Sequence, residues 1–246
     1  MPTENVPSVD ACAKLLFEKL GPRLMVAAPL GIGKPNHLLN ALWSKARSDS
    51  ALTLEIFTAL SLQIPQGKSL LERRFLQAFT QRHFHGQGAY PELDYIDDIQ
   101  RGDVPHTMRV SEFYMQSGKY LSSPLAQRWF TSSNYTHAAR DIVNRGVNVL
   151  VLMVGCRDAT DANSKPRYSL GSNPDLTLDL VKRVQARNAE SGTGTGTANS
   201  AGAHPFIVVA VVNRNMPFMT GAAEVGDDFF DALIDQPQYE HALFEV

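Results

Sequence analysis

Ala27-Ala28-Pro29-Leu30-Gly31-Ile32-Gly33-Lys34-Pro35-Asn36-His37-Leu38-Leu39-Asn40-Ala41-Leu42 joins an apolar strand to an amphipathic helix through a loop that carries two glycines. The strand begins upstream, at Arg23-Leu24-Met25-Val26, and Pro35 suits the first turn of the helix. Gly31 and Gly33 let the backbone approach a ligand closely, and N–H groups left unpaired at the helix start would face it. The junction is therefore built to hold an anion, the plainer alternative being a tight turn with no ligand. Two phosphate motifs are excluded by spacing. A Walker loop would need glycine where Ala28 stands and a hydroxyl residue where Pro35 stands, and a dinucleotide fingerprint would need glycine at Asn36. Neither ATP nor NAD is favoured.

Outward from this junction, helical and strand patterns alternate. Val9 to Leu20 places Ala11, Leu15, Leu16 and Leu20 on one helical stripe ahead of the strand, and the helix after the loop runs from Asn36 to about Arg47. Ala51 to Leu60 reads as a second strand, and Ser69 to Arg82 as a helix with a serine cap and Glu72 three residues on. Thr107 to Tyr114 is a third strand and Asn134 to Arg145 a short helix. Val147 to Val154 and Phe206 to Val212 are continuous apolar runs, as strands covered on both faces require, with a helix from Pro174 to Ala189 between them. The expectation is one α/β domain over residues 1–246, with a mostly parallel sheet and helices on both faces. Residues 191–204, rich in Gly, Thr and Ser, are expected to be a flexible surface loop.

Composition narrows the function classes. With 246 residues, 43% hydrophobic and 20% charged, the chain can bury a substantial core. A net charge of −2 without a Lys/Arg block gives no field to attract nucleic acid. The start Met1-Pro2-Thr3-Glu4-Asn5 has no signal-peptide pattern, and no stretch reaches the ~18 apolar residues of a membrane span, so a soluble cytoplasmic protein is expected. Cys12 and Cys156 are far apart and outside any zinc or redox spacing, which reads as two reduced thiols.

Other short signals carry less. Asn134-Tyr135-Thr136 matches a glycosylation acceptor that a cytoplasmic chain would not use. His83-Phe84-His85 sets two imidazoles on one side of an extended stretch without a supporting third ligand, so a surface or helix-end pair is expected and no metal. Glu112, Glu224 and the pairs Asp97-Asp98 and Asp227-Asp228 could serve as acid, base or nucleophile, but solvated face charges are the plain expectation. No Gly-x-Ser-x-Gly elbow supports a serine hydrolase.

Four segments together carry a resemblance. Pro29 to Asn36, Ser133 to Asp141, Tyr168 to Asp179 (Tyr168-Ser169-Leu170-Gly171-Ser172-Asn173-Pro174-Asp175-Leu176-Thr177-Leu178-Asp179), and Val212 to Gly221 (Val212-Asn213-Arg214-Asn215-Met216-Pro217-Phe218-Met219-Thr220-Gly221) are similar, in that order, to the acetyl-CoA hydrolase/transferase family. The resemblance implies a fold like the N-terminal half of class I CoA-transferases, of the NagB/RpiA-like kind. It further implies enzymes of two α/β halves in which a glutamate of the second half attacks an acyl-CoA thioester. Coenzyme A enters as substrate, and a carboxylic acid or water accepts the acyl group. This chain covers about one half and contains no segment matching the catalytic glutamate region, so it reads as an N-terminal domain inactive alone, with no catalytic residue of its own. Its partners would be acyl-CoA and carboxylate substrates, the missing half and, through the apolar face a missing half leaves, a homodimer. By motif position Gly31, Gly33, Lys34, Asn134, Gly171 and Asn213 would line the acid-binding side of the cleft. The Lys34 ammonium would pair with a substrate carboxylate or a CoA phosphate, although a lysine before proline is ordinarily exposed. The reading from a different class is a non-catalytic α/β module that binds a sugar phosphate or other small anion.

Overall fold

The computed structural model describes residues 3–85, 89–159, 165–190 and 205–243. Its centre is a parallel sheet of β1 (Glu4–Asn5), β2 (Arg23–Ala27), β3 (Thr53–Thr58), β4 (Met108–Glu112), β5 (Val149–Arg157), β7 (Ile207–Val212) and β9 (Ala232–Ile234). These strands lie in the order β1-β9-β7-β5-β2-β3-β4, every neighbouring pair parallel. An antiparallel flap extends β5, formed by β6 (Arg167–Ser169) and β8 (Glu224–Val225).

The apolar runs divide between the two faces with the strand period of two. Leu24, Val26, Leu54, Ile56, Val149, Val151, Val209 and Val211 meet α1 (Val9–Leu20), α2 (Asn36–Ser48), α4 (Asp94–Arg101) and α5 (Pro124–Trp129). Met25, Ala27, Phe57, Leu150, Leu152, Val208 and Ala210 meet α6 (Tyr135–Asn144) and α7 (Pro174–Glu190) on the opposite face. Each buried Leu, Val or Ile contributes roughly 1.5–3 kcal/mol relative to an exposed one, so β5 and β7, apolar on both sides, anchor the sheet. The expected α/β architecture with helices on both faces is the one observed.

Helix ends follow their local signals. Ser8 caps α1, Asn134 caps α6, and Ser69 and Glu72 form a reciprocal capping box at α3 (Leu70–Phe84). The expected helix-end pair is observed: His83 lies in the last turn of α3 and His85, with φ 55°, is its C-cap, so only the extended conformation of this stretch is corrected. The loop expected over 191–204 lies outside the described residues. Among the described residues, no helix is long and apolar enough to cross a membrane, and both cysteines are free.

The connectivity fixes where a ligand can sit. The chain moves from β2 to β3 to β4 in one direction, then returns to place β5 on the other side of β2 and continues to β7 and β9. Strand order reverses between β2 and β5. In open parallel sheets the crevice at such a reversal, beyond the carboxyl ends of the strands, is where ligands bind.

Candidate functional site

The loop after β2 lies at that reversal. Gly31–Gly33 forms one turn of 3-10 helix, Gly31 takes φ 59°, and its N–H donates to the Leu60 carbonyl at 3.2 Å. No side chain caps the start of α2, because Pro35 holds the cap position. Lys34 turns inward and is 1% exposed. Its Nζ donates to the carbonyls of Ala59 and of Leu60, the latter at 3.2 Å, and so ties the β2 loop to the β3 loop. Leu60 is a non-glycine residue at φ 45°, held on its other side by its N–H donating to Tyr114 O at 2.6 Å.

A buried polar network continues from there. Glu112, at the carboxyl end of β4, accepts from the Ser61 N–H at 2.9 Å and from Ser61 Oγ at 2.5 Å. The Tyr95 hydroxyl lies 2.5 Å from the same Ser61 Oγ, and Lys119 Nζ donates to Ser61 O at 2.5 Å. Burial drives the Lys34 ammonium down to about 7, against the opposing pull of Glu112. Burial also lowers Lys119 and raises the Tyr95 phenol well above its ordinary value. One carboxylate thus sits between two lysines in a region shielded from water, an arrangement that fixes three loops at the rim of the sheet.

The opposite wall comes from two distant segments. Gly171 has φ 60° and donates its N–H to Ser169 Oγ at 3.2 Å. A Cβ added at Gly33 would overlap Asn173 Oδ1, and one added at Gly171 would fall 2.5 Å from Met216 Cε. At Gly33 the Asn173 side chain leaves no room for a Cβ, and at Gly171 the positive φ favours glycine while the Met216 side chain packs over it. Asn213 is fully buried: its Nδ2 donates to His241 O at 2.9 Å, and its Oδ1 accepts from Asn215 N at 3.0 Å and Nδ2 at 3.1 Å. Met216 N–H donates back to Asn213 O at 2.9 Å, which links the asparagine turn to the methionine packed on Gly171.

Gly31, Gly33, Gly171 and the Asn213 turn therefore come together around the reversal point. Asn134 does not join them by contact: its Oδ1 caps α6, accepting from His137 N at 3.1 Å and Thr136 Oγ1 at 2.6 Å. Two expectations change. Lys34 is sealed by carbonyl oxygens instead of exposed, because the β3 loop folds over it. Glu112 and Asp98 are buried instead of solvated, the latter accepting from Trp43 Nε1 at 2.8 Å and paired with Arg47 and Arg101. Ser61, Tyr95 and Lys119 escaped sequence reading, since each gains its partner only through tertiary contact. Among the described residues, no cluster of three or more His, Cys, Asp or Glu is placed to hold a metal.

Comparison with known proteins gives fold without sequence kinship. No family model matches the chain, and no curated protein does. Among solved structures, RipA from Yersinia pestis matches 99% of this chain with TM-score 0.56 at 13% identity, the match covering 44% of RipA. A RipA variant gives TM-score 0.55 at 14% identity over 99% of this chain and 43% of that one. A 4-hydroxybutyrate CoA-transferase from Porphyromonas gingivalis is matched more loosely, with TM-score 0.44 at 14% identity over 99% of this chain and 41% of that one. The chain spans less than half the length of these structures. Its fold is the α/β unit that RipA also contains, a mostly parallel sheet with helices on both faces.

Proposed function

We propose that the chain is the acid-binding half of an acyl-CoA transferase or hydrolase, and that the attacking carboxylate belongs to a second half. The observation that supports this reading best is the meeting of the Gly31–Gly33 loop with Asn173 and of Gly171 with Met216 at the strand-order reversal. Three of the four segments that carry the sequence resemblance meet in this way. The shared fold with RipA is in keeping with it.

In this reading a glutamate from the second half attacks the thioester carbonyl and forms an acyl-glutamyl anhydride with release of the CoA thiolate. The thiolate returns to the glutamyl carbonyl, giving an enzyme thioester and free acid, and an incoming carboxylate or water completes the exchange. The residues of this chain contribute position and charge. Glycine backbones admit the acyl carbonyl closely, and the uncapped start of α2 supplies N–H groups for developing negative charge. Lys34 acts indirectly, by holding the β3 loop against the glycine loop, and is not a direct ligand of the acid.

The uncapped helix start would equally serve a small phosphate, which keeps the binding-module reading in view. Incubation of the purified chain with acetyl-CoA, with and without acetate or succinate, tests whether the nucleophile lies outside this chain. No thiol should be released above the uncatalysed rate. Sustained release by the chain alone would overturn the assignment of the nucleophile to a second half.

A further inference from the structure

Helix α3 turns a polar face to the protein. Leu70, Arg73, Arg74, Gln77, Thr80 and Gln81 recur at the spacing of one helical face, and all six line a groove of about 970 Å³ between the helix and the loop that follows β3. Leu71 and Phe75, on the other side, are 79% and 78% exposed. A surface helix ordinarily buries its apolar stripe and gives its charged groups to solvent. Here the guanidinium and amide groups stand over the groove instead, and the capping box fixes the helix start beside it.

The facing wall is apolar and closely built. Ile64 and Pro65 form it; the Ile64 N–H donates to Glu92 Oε1 at 2.9 Å, and Gly67 lets the loop press on the first turn of α3, where a Cβ would overlap the backbone nitrogen of Arg73. Glu92, the acid on this groove, is thus already engaged by a backbone donor. Arg73 donates to Lys68 O at 3.4 Å, and among the described residues neither Arg73 nor Arg74 forms an ion pair. One side of the groove therefore carries uncompensated positive charge and the other apolar surface. Guanidinium groups match the oxygens of a phosphate ester, and a volume of about 970 Å³ is at the upper end of the range for small-molecule sites, more than an isolated anion fills. The wall loop is also the one whose Leu60 and Ser61 meet Gly31 and Glu112, so the groove adjoins the candidate site through a shared segment.

We propose that this groove binds a phosphorylated ligand of nucleotide size, with its phosphates on Arg73 and Arg74 and its less polar body against Ile64, Pro65 and Leu70. The nucleotide end of coenzyme A and a free nucleoside diphosphate share that chemistry. Coenzyme A as the source rests on the acyl-transfer reading; the groove itself does not. In nitrogen-15 correlation spectra of the full chain titrated with CoA, the amides of Gly67, Gln77 and Gln81 should shift in a saturable manner, with an affinity that falls as salt is added. Arg73→Gln/Arg74→Gln should weaken this binding at least about tenfold with the melting temperature unchanged, since both side chains are exposed. Arg128→Gln, an exposed arginine of α5 that does not line the groove, should change the affinity less than about twofold. Tighter binding of CoA than of ADP supports the groove with CoA as its source, and ADP binding as tightly as CoA supports it with a free nucleotide. Pantetheine binding as tightly as CoA, inorganic phosphate saturating the same amides at equal concentration, an affinity indifferent to the arginine pair, or no saturable shift from CoA or ADP would each overturn the proposal. Such a failure leaves the acyl-transfer reading standing, because acetate and succinate carry no phosphate and report on the glycine loop alone.

Discussion

Lys34 stands buried behind the glycine loop with two carbonyl oxygens as its partners. Burial lowers its folded-state pKa to about 7, while the unfolded side chain titrates near its ordinary 10.5. Between those values the unfolded chain binds more protons, so stability rises with pH across that window and is lost as pH falls through the folded value. Denaturant melts of the wild type should therefore show increasing stability from pH 7.5 to about 9.5, and Lys34→Met should flatten that slope. The glycines differ in what they prevent. Gly33→Ala sets a methyl group onto Asn173 and should cost about 1–3 kcal/mol. Gly31→Ala meets open space but keeps φ 59°, a backbone cost of about 1–2 kcal/mol. A melting series in which Gly33→Ala proved neutral would remove the tight approach of the two loops. The spacing of Gly31 and Gly33 made this loop legible in advance. The burial of Lys34 was not, because its partners are carbonyls of Ala59 and Leu60, 25 residues or more away in sequence, which no side-chain pattern announces.

Among the elements, the segment around His241 joins the ends of the chain to α2. His241 O accepts from Asn213, the His37 and His241 rings lie 6.3 Å apart, and Tyr239 and Tyr90 pack against them. Burial lowers both imidazoles, and the proximity of His241 lowers His37 further. Their folded pKa values thus lie below the unfolded 6.5, so the unfolded chain takes up protons first and stability falls as pH drops below that point. His37→Gln/His241→Gln should lose less stability between pH 7 and 5 than the wild type does, as thermal melts across that range would register. Long periodic elements were the readable ones: α1, α2, α7 and the apolar strands β5 and β7 follow their patterns within a few residues. The short ones were missed. β1, β6, β8 and β9 have two or three residues each, too few for a period of two to register, and α4 and α5 span eight and six. The direction in which α3 faces was equally hidden, since a stripe at helical spacing does not say whether it turns toward the core.

For the molecule as a whole, alternating strands and helices foretold a parallel sheet with two covered faces, but not the order of its strands. That order decides where the crevice lies, and it sets the loops of β2 and β5 beside each other. The four resemblance-bearing segments are far apart in sequence, and three of them meet there. Amide resonances are the most immediate report on that meeting point. In a nitrogen-15 correlation spectrum of the labelled chain, acetate, succinate and acetyl-CoA should each shift the backbone amides of Gly31, Gly33 and Gly171 in a saturable manner, acetate and succinate leaving the α3 amides in place. Amides that respond to inorganic phosphate or a sugar phosphate, and stay unmoved by the carboxylates and by acetyl-CoA, would contradict the acyl-transfer assignment.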